Sequence, residues 1–173
     1  MNEELKPLVF RIEQLAIAPL SSDRAIHLLQ EIGIDPRSWV LDTVIAEGSV
    51  FGIKDQTNVA NLSFNYEMLT QAKEFEILQY TQGANWMGTR GPSASHIGMH
   101  VSAEELIRWR AKFAELGIDV AQEVNTLSHS NPVIAGKRSY NYVIFDTRDI
   151  LGIDLKFIVR KNLTDEVITT PND

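Results

Sequence analysis

One order of elements is written into this chain twice. A helical stretch ending on Ile32-Gly33-Ile34-Asp35 is matched by a second ending on Leu116-Gly117-Ile118-Asp119. A short strand-like run precedes each, over residues 10–18 and 96–101. Three more follow each: 43–51, 59–66 and 74–80 in the first half, then 120–126, 140–146 and 153–159 in the second. The expected fold class is therefore α+β, built from two tandem βαβββ modules. Residues 83–95 have loop composition and should join the modules, which are assigned to 1–90 and 91–173. The tail after Lys161 is polar and should fray.

Both helices announce their ends. Ser21 or Ser22 can cap the first, whose Ile26, Leu29 and Ile32 recur at helical spacing until Gly33 stops it. Ser102 and Glu105 form an S-x-x-E capping box for the second. Leu106, Trp109, Phe113 and Leu116 then make its apolar stripe, and Gly117 ends it.

Strand alternation decides which side chains can meet. Leu15 and Ile17, Phe75 and Ile77, Ile97 and Met99, and Leu155 and Phe157 should lie against the helices. The opposite face then carries Gln14, Glu74, Glu76, Tyr80, His96, His100, Asp154 and Lys156. On the 59–66 run, Asn61, Ser63 and Asn65 are expected to add to that polar face, with Leu62 and Phe64 turned away. The repeat pairs Gln14 with His96, and Glu74-Phe75-Glu76 with Asp154-Leu155-Lys156. Such a face is ordinary wet surface unless the sheets curl together. Curled, it lines a cleft.

Composition narrows the function. The 173 residues are 44% apolar and 23% charged, enough to bury a core. A formal net charge of −7 with scattered Lys and Arg argues against nucleic acid as a partner. No run approaches the ~18 to 20 apolar residues of a membrane span. Met1-Asn2-Glu3-Glu4-Leu5-Lys6 lacks the order of a signal peptide, so a cytoplasmic location is expected. Zero cysteines exclude disulfides, thiolate metal sites and cysteine nucleophiles. No G-x-S-x-G, P-loop or G-x-G-x-x-G occurs, which disfavours triad hydrolysis and nucleotide cofactors.

Three segments carry a family resemblance: Arg11-Ile12-Glu13-Gln14-Leu15-Ala16-Ile17-Ala18, Phe75-Glu76-Ile77-Leu78-Gln79-Tyr80 and Ser95-His96-Ile97-Gly98-Met99-His100-Val101. In their order and repetition they resemble the vicinal oxygen chelate superfamily, which holds glyoxalases, dioxygenases and bleomycin-resistance proteins. The resemblance spans residues 8–160. Asn61-Leu62-Ser63-Phe64-Asn65-Tyr66, Gly83-Ala84-Asn85-Trp86-Met87 and Tyr142-Val143-Ile144-Phe145-Asp146-Thr147-Arg148 are similar to a glyoxalase-like group found among phage and bacterial proteins. No activity carries over from that group. What the resemblance implies is a curved mixed sheet with helices outside, wrapped around one divalent metal ion. By position its ligands would be Gln14, Glu76 and His96, types that suit Zn, Ni, Mn or Fe(II). The fourth place falls on Lys156, whose ammonium has no acceptor and cannot ligate. Lys156 could pair with Glu76 and replace the metal, or Asp154 or His100 could supply the missing ligand.

Two functions follow from the resemblance. One is a metal-dependent lyase, isomerase or dioxygenase acting on a small molecule with vicinal oxygens, Glu76 or His100 moving the proton. The other is a metal-free protein that sequesters a small, partly aromatic molecule, with Lys156, Tyr80, Tyr140, Tyr142 and Trp86 as ligand contacts. Plainer readings stand beside these. His96 can be a strand histidine satisfied by a neighbour, Glu76 a lysine-paired carboxylate, and Trp86 a plug at the module junction. Tyr140 and Tyr142 can merely pack, His27 should be surface, and His129 lies in a loop that could cover a cleft mouth. A small-molecule ligand is the expected partner, without nucleic acid or membrane; a homodimer is compatible with the chain.

Overall fold

A computed structural model describes residues 7–90 and 94–165 of the chain. Its first module runs β1 (Gln14–Ile17), α1 (Ser22–Glu31), β2 (Trp39–Val50), β3 (Ile53–Asn65) and β4 (Glu74–Gln82). A short helix, α2 (Ala84–Arg90), leads to the second: β5 (His96–His100), α3 (Ala103–Glu115), β6 (Val120–Ser128), β7 (Arg138–Phe145), α4 (Arg148–Leu151) and β8 (Asp154–Asn162). Within each module the first strand lies parallel to the last, β1 with β4 and β5 with β8, and the remaining pairs are antiparallel. A parallel pair requires a long crossover, and here it runs through α1, β2 and β3 in the first module and through α3, β6, β7 and α4 in the second.

The two sheets then meet along both edges. β2 pairs β6 and β1 pairs β5, each antiparallel, which closes a barrel in the order β1-β4-β3-β2-β6-β7-β8-β5. Among the described residues closure leaves no open sheet edge. The architecture is the expected α+β pair of βαβββ modules, drawn shut into a barrel rather than left as an open curve. Gly48 makes the β2–β6 seam possible, because a Cβ there would sit 2.1 Å from the Glu123 carbonyl oxygen.

Apolar residues divide between the inside of the barrel and the space under α3. The interior cluster includes Val44, Ala46, Val50, Leu62, Leu78, Tyr142, Ile144 and Ile158. Under α3 lie Met99, Leu106, Phe113, Phe145, Leu155 and Phe157, with Phe113 stacked on Phe145 at 4.1 Å and Trp109 lying 4.9 Å from Phe157. The Ser102–Glu105 capping box forms as its spacing predicts. By contrast α1, capped by Ser21, buries none of its residues. No helix among the described residues is long and apolar enough to cross a membrane.

Two expectations are corrected here. Residues 84–90 form a helix rather than loop, and Trp86 is fully buried, stacked on Phe51 at 5.5 Å and tilted against Tyr80 at 5.9 Å. That aromatic cluster packs with the interior apolar residues and is the reason the segment orders: a buried indole repays the ordering of one helical turn or two. On β3 the faces are reversed. Leu62 and Phe64 point into the barrel, whereas Asn61, Ser63 and Asn65 lie on its outer side. Asn65 is buried there because it donates to Ser38 Oγ at 2.6 Å and accepts from the Glu67 and Met68 N–H groups, both at 2.9 Å. Residues 91–93, beside the expected module boundary, and the tail over 166–173 lie outside the described residues.

Candidate functional site

The barrel encloses a cavity of about 100 Å³ whose two halves differ in character. Val44 and Ala46 of β2, Ala60 and Leu62 of β3, and Tyr142 and Ile144 of β7 form a mainly apolar half. The other half is built from β1, β4, β5 and β8, and it carries Gln14, Glu76, His96 and Lys156. Strand register explains this convergence. The parallel pairs set Gln14 opposite Glu74 and His96 opposite Asp154, while β1–β5 pairing sets Ala16 opposite His96. Gly98 clears the space for the Gln14 side chain, since a Cβ there would lie 3.0 Å from Gln14 Oε1.

A chain of polar contacts runs through the four residues. His96 Nδ1 lies 2.9 Å from the Ala94 carbonyl oxygen, a bond that needs the proton on Nδ1. His96 Nε2 lies 2.9 Å from Gln14 Oε1 and 3.5 Å from Glu76 Oε2. Gln14 Nε2 donates to Glu74 Oε1 at 2.5 Å, which fixes the orientation of its amide. Lys156 Nζ sits 3.7 Å from Glu76 Oε2 and 4.7 Å from the centre of the Tyr142 ring. All four side chains are buried. Burial alone would raise the Glu76 carboxyl, but the Lys156 ammonium and His96 outweigh it and hold Glu76 below the usual carboxylate range. For His96, burial and then the same ammonium lower the pKa, against the pull of Glu76.

The remaining candidates fall into three groups. Tyr80, Tyr140, Tyr142 and His100 line the cavity. Tyr80 donates to Gln122 Oε1 at 3.3 Å, and burial pushes its phenol up to about 12. His100 takes Glu13 as its partner, with Nδ1 3.5 Å from Oε2, and its pKa is lowered by burial and then by Arg160. Trp86, stacked on Phe51, lies outside the lining. Asp154 also lies outside it, held by Arg148 at 2.8 Å and Arg90 at 3.6 Å, so those arginines engage the carboxylate that could have replaced the lysine as a ligand. His129 is exposed, though Asn131 and Ile134 of the same loop reach the cavity; His27 is exposed beside Glu31.

Arg160, Phe64 and Asp42 also line the cavity, and sequence reading did not single them out as site residues. Arg160 was within reach, because it continues the alternation of Lys156 and Ile158 along β8. Phe64 was lost with the reversal of β3. Asp42 accepts from the Ser130 and Asn131 N–H groups at 3.1 and 3.0 Å, a loop contact that no local pattern foretells.

A divalent metal would need several oxygen or nitrogen donors around one point. Gln14 Oε1, His96 Nε2 and Glu76 Oε2 converge and are of suitable types. The fourth position holds an ammonium, which stands beside the same Glu76 oxygen that a metal would need. Among the described residues no group of three or more His, Cys, Asp or Glu is arranged to hold a metal. As it stands, the set does not fit a four-ligand metal centre.

No family model matches the sequence, and no curated protein matches it. Among solved structures the chain is similar to a hypothetical protein from Bacillus halodurans C-125, at 13% identity and a TM-score of 0.46, over 90% of this chain and 98% of that one. It is also similar to Streptomyces coelicolor methylmalonyl-CoA epimerase in complex with 2-nitronate-propionyl-CoA, at 11% identity and a TM-score of 0.47, over 88% and 98% of the two chains. A selenomethionine methylmalonyl-CoA epimerase matches at 14% identity and a TM-score of 0.44, over 89% and 97%.

Proposed function

We propose that this chain is a metal-free small-molecule binding protein, with the barrel interior as its site and Lys156 standing where a metal ligand would otherwise be. The observation that carries this reading is the Lys156–Glu76 pair, 3.7 Å apart, facing a cavity whose other half is mainly apolar. A cation fixed beside the carboxylate supplies the positive charge that a metal would bring, while a small apolar enclosure with a few convergent polar groups is how small ligands are held. Tyr80, Tyr140 and Tyr142 give the occupant aromatic surface.

A second reading has one observation in its favour, the convergence of Gln14 Oε1, His96 Nε2 and Glu76 Oε2. It makes the chain a metal-dependent lyase, isomerase or dioxygenase, in which Glu76 or His100 moves a proton. Elemental analysis of protein purified without chelator or nickel resin, followed by calorimetric titration of Zn, Ni and Mn, separates the two. The binding reading expects no stoichiometric metal in the wild type and a gain of metal affinity in Lys156→Glu. One bound equivalent in the wild type would favour the enzyme instead.

A further inference from the structure

Lys156 is the polar group of the cavity with donors to spare. Its side chain lines the space and keeps 11% of its surface, whereas that of Glu76 is sealed at 2%. An ammonium carries three N–H donors and no acceptor. Among the described residues none of these donors reaches a hydrogen-bond acceptor: Glu76 Oε2 stands 3.7 Å from Nζ, close enough for charge attraction only. The other near neighbour is the face of the Tyr142 ring, 4.7 Å away at its centre, which attracts the cation but offers it no oxygen lone pair. The protonation of His96 does not alter this, because the spare donors are the lysine's own. Donors so placed call for an acceptor.

The apolar half decides the rest of the occupant. Ala46 and Ala60, on adjacent strands, leave space beside Val44, Leu62 and Ile144. Water can serve the ammonium, but it gains nothing from such walls. An occupant that spans both halves satisfies both. Its acceptor is an oxygen without charge, since Glu76 already balances the ammonium and would repel a second carboxylate beside it. Resting on the binding reading above, we infer that the site takes a compact, neutral carbonyl compound of the aryl ketone or ester class. The carbonyl oxygen accepts from Lys156 Nζ, and the ring fills the space left by Ala46 and Ala60. The occupant needs no N–H of its own.

Four one-ring probes of similar size test this: acetophenone, ethylbenzene, benzoate and phenethylammonium. Each is titrated into the full chain by calorimetry and by NMR of the methyl groups of Val44 and Leu62. Acetophenone should bind roughly tenfold more tightly than ethylbenzene, the discrimination set by one hydrogen bond to a charged group, and more tightly than either ion. Its carbonyl carbon resonance should move downfield on binding. In the paired variant Lys156→Met with Glu76→Leu, both the preference and that movement should vanish, while uptake of ethylbenzene shows that the variant folds and keeps its cavity. A wild-type carbonyl resonance that stays put would overturn the inference without any variant. So would an ion as the tightest probe, equal binding of acetophenone and ethylbenzene, or a preference that survives in the paired variant; each leaves the binding reading in place. Failure of every probe to perturb the cavity methyls would overturn both.

Discussion

At the scale of single residues, Lys156 is the position on which most depends. Its ammonium and the Glu76 carboxylate are both buried, so each is tolerated largely because of the other. Truncating one member leaves an uncompensated charge. Lys156→Met should therefore destabilise the fold by about 3–5 kcal/mol, while adding Glu76→Leu should recover much of that loss. Urea denaturation of the wild type and both variants reads this directly; an unchanged midpoint in Lys156→Met would mean that the pair carries no such burden. Gly98 makes a finer test. An alanine there brings a methyl 3.0 Å from Gln14 Oε1 and 3.3 Å from Gln14 Cβ. Gly98→Ala should push the amide off His96 at a cost of about 1–3 kcal/mol, the range for overpacking. The nitrogen chemical shifts of the His96 ring should move with it, and shifts that stay put would show that Gln14 does not set the imidazole environment.

At the scale of elements, the helices of the two modules are not equals. α3 buries Leu106 and Phe113 over an aromatic cluster and has a complete capping box, whereas α1 has a single cap bond and no buried residue. In proteins helical stability comes mostly from packing of an apolar face, so α1 should open far more readily. Hydrogen exchange should show α1 amides exchanging well before those of α3, and Ser102→Ala should cost about 1 kcal/mol. Comparable protection in both helices would refute the contrast. The same comparison shows why some elements were legible in the sequence and others were not. Caps, a period of 3.6 in helices and one of 2 in strands are local signals, and α1, α3 and most strand faces followed from them. α2 has no such period. It orders because Trp86 finds Phe51 and Tyr80, partners distant or unpaired in the linear pattern. β3 misled because polar residues normally mark the wet face, yet here the cavity is apolar at Leu62 and Phe64 while Asn65 caps a turn outside. The convergence of Gln14, Glu76, His96 and Lys156 was foreshadowed by parity and repeat. The β2 carboxylate Asp42 was not, since its partners lie 88 and 89 residues away.

At the scale of the whole molecule, closing the barrel is what turns a polar sheet face into a buried one, and that has a consequence for acid stability. His96 and His100 are both held below the ordinary imidazole value of 6.5, His96 by burial and Lys156, His100 by burial and Arg160. Unfolding exposes them, so between their folded values and 6.5 the unfolded chain binds more protons than the folded one. Stability then rises with pH through that window. Their contribution is fully present above 6.5 and is lost as pH falls below it. Glu76 acts in the same direction lower down: its folded value lies under the ordinary 4.5, so its share is present above 4.5 and fades as pH falls through the folded value. Urea midpoints should be nearly flat from about pH 8 to 7 and then decline toward pH 4, with His96→Gln and His100→Asn each reducing the slope below the ordinary imidazole value. The opposite sign is informative. If the protein gained stability on going from about pH 7 to 6, the acceptors around His96 would be outweighing burial and Lys156, and the ring would be an imidazolium in the fold. Its second proton would then be held between Gln14 Oε1 at 2.9 Å and Glu76 Oε2 at 3.5 Å.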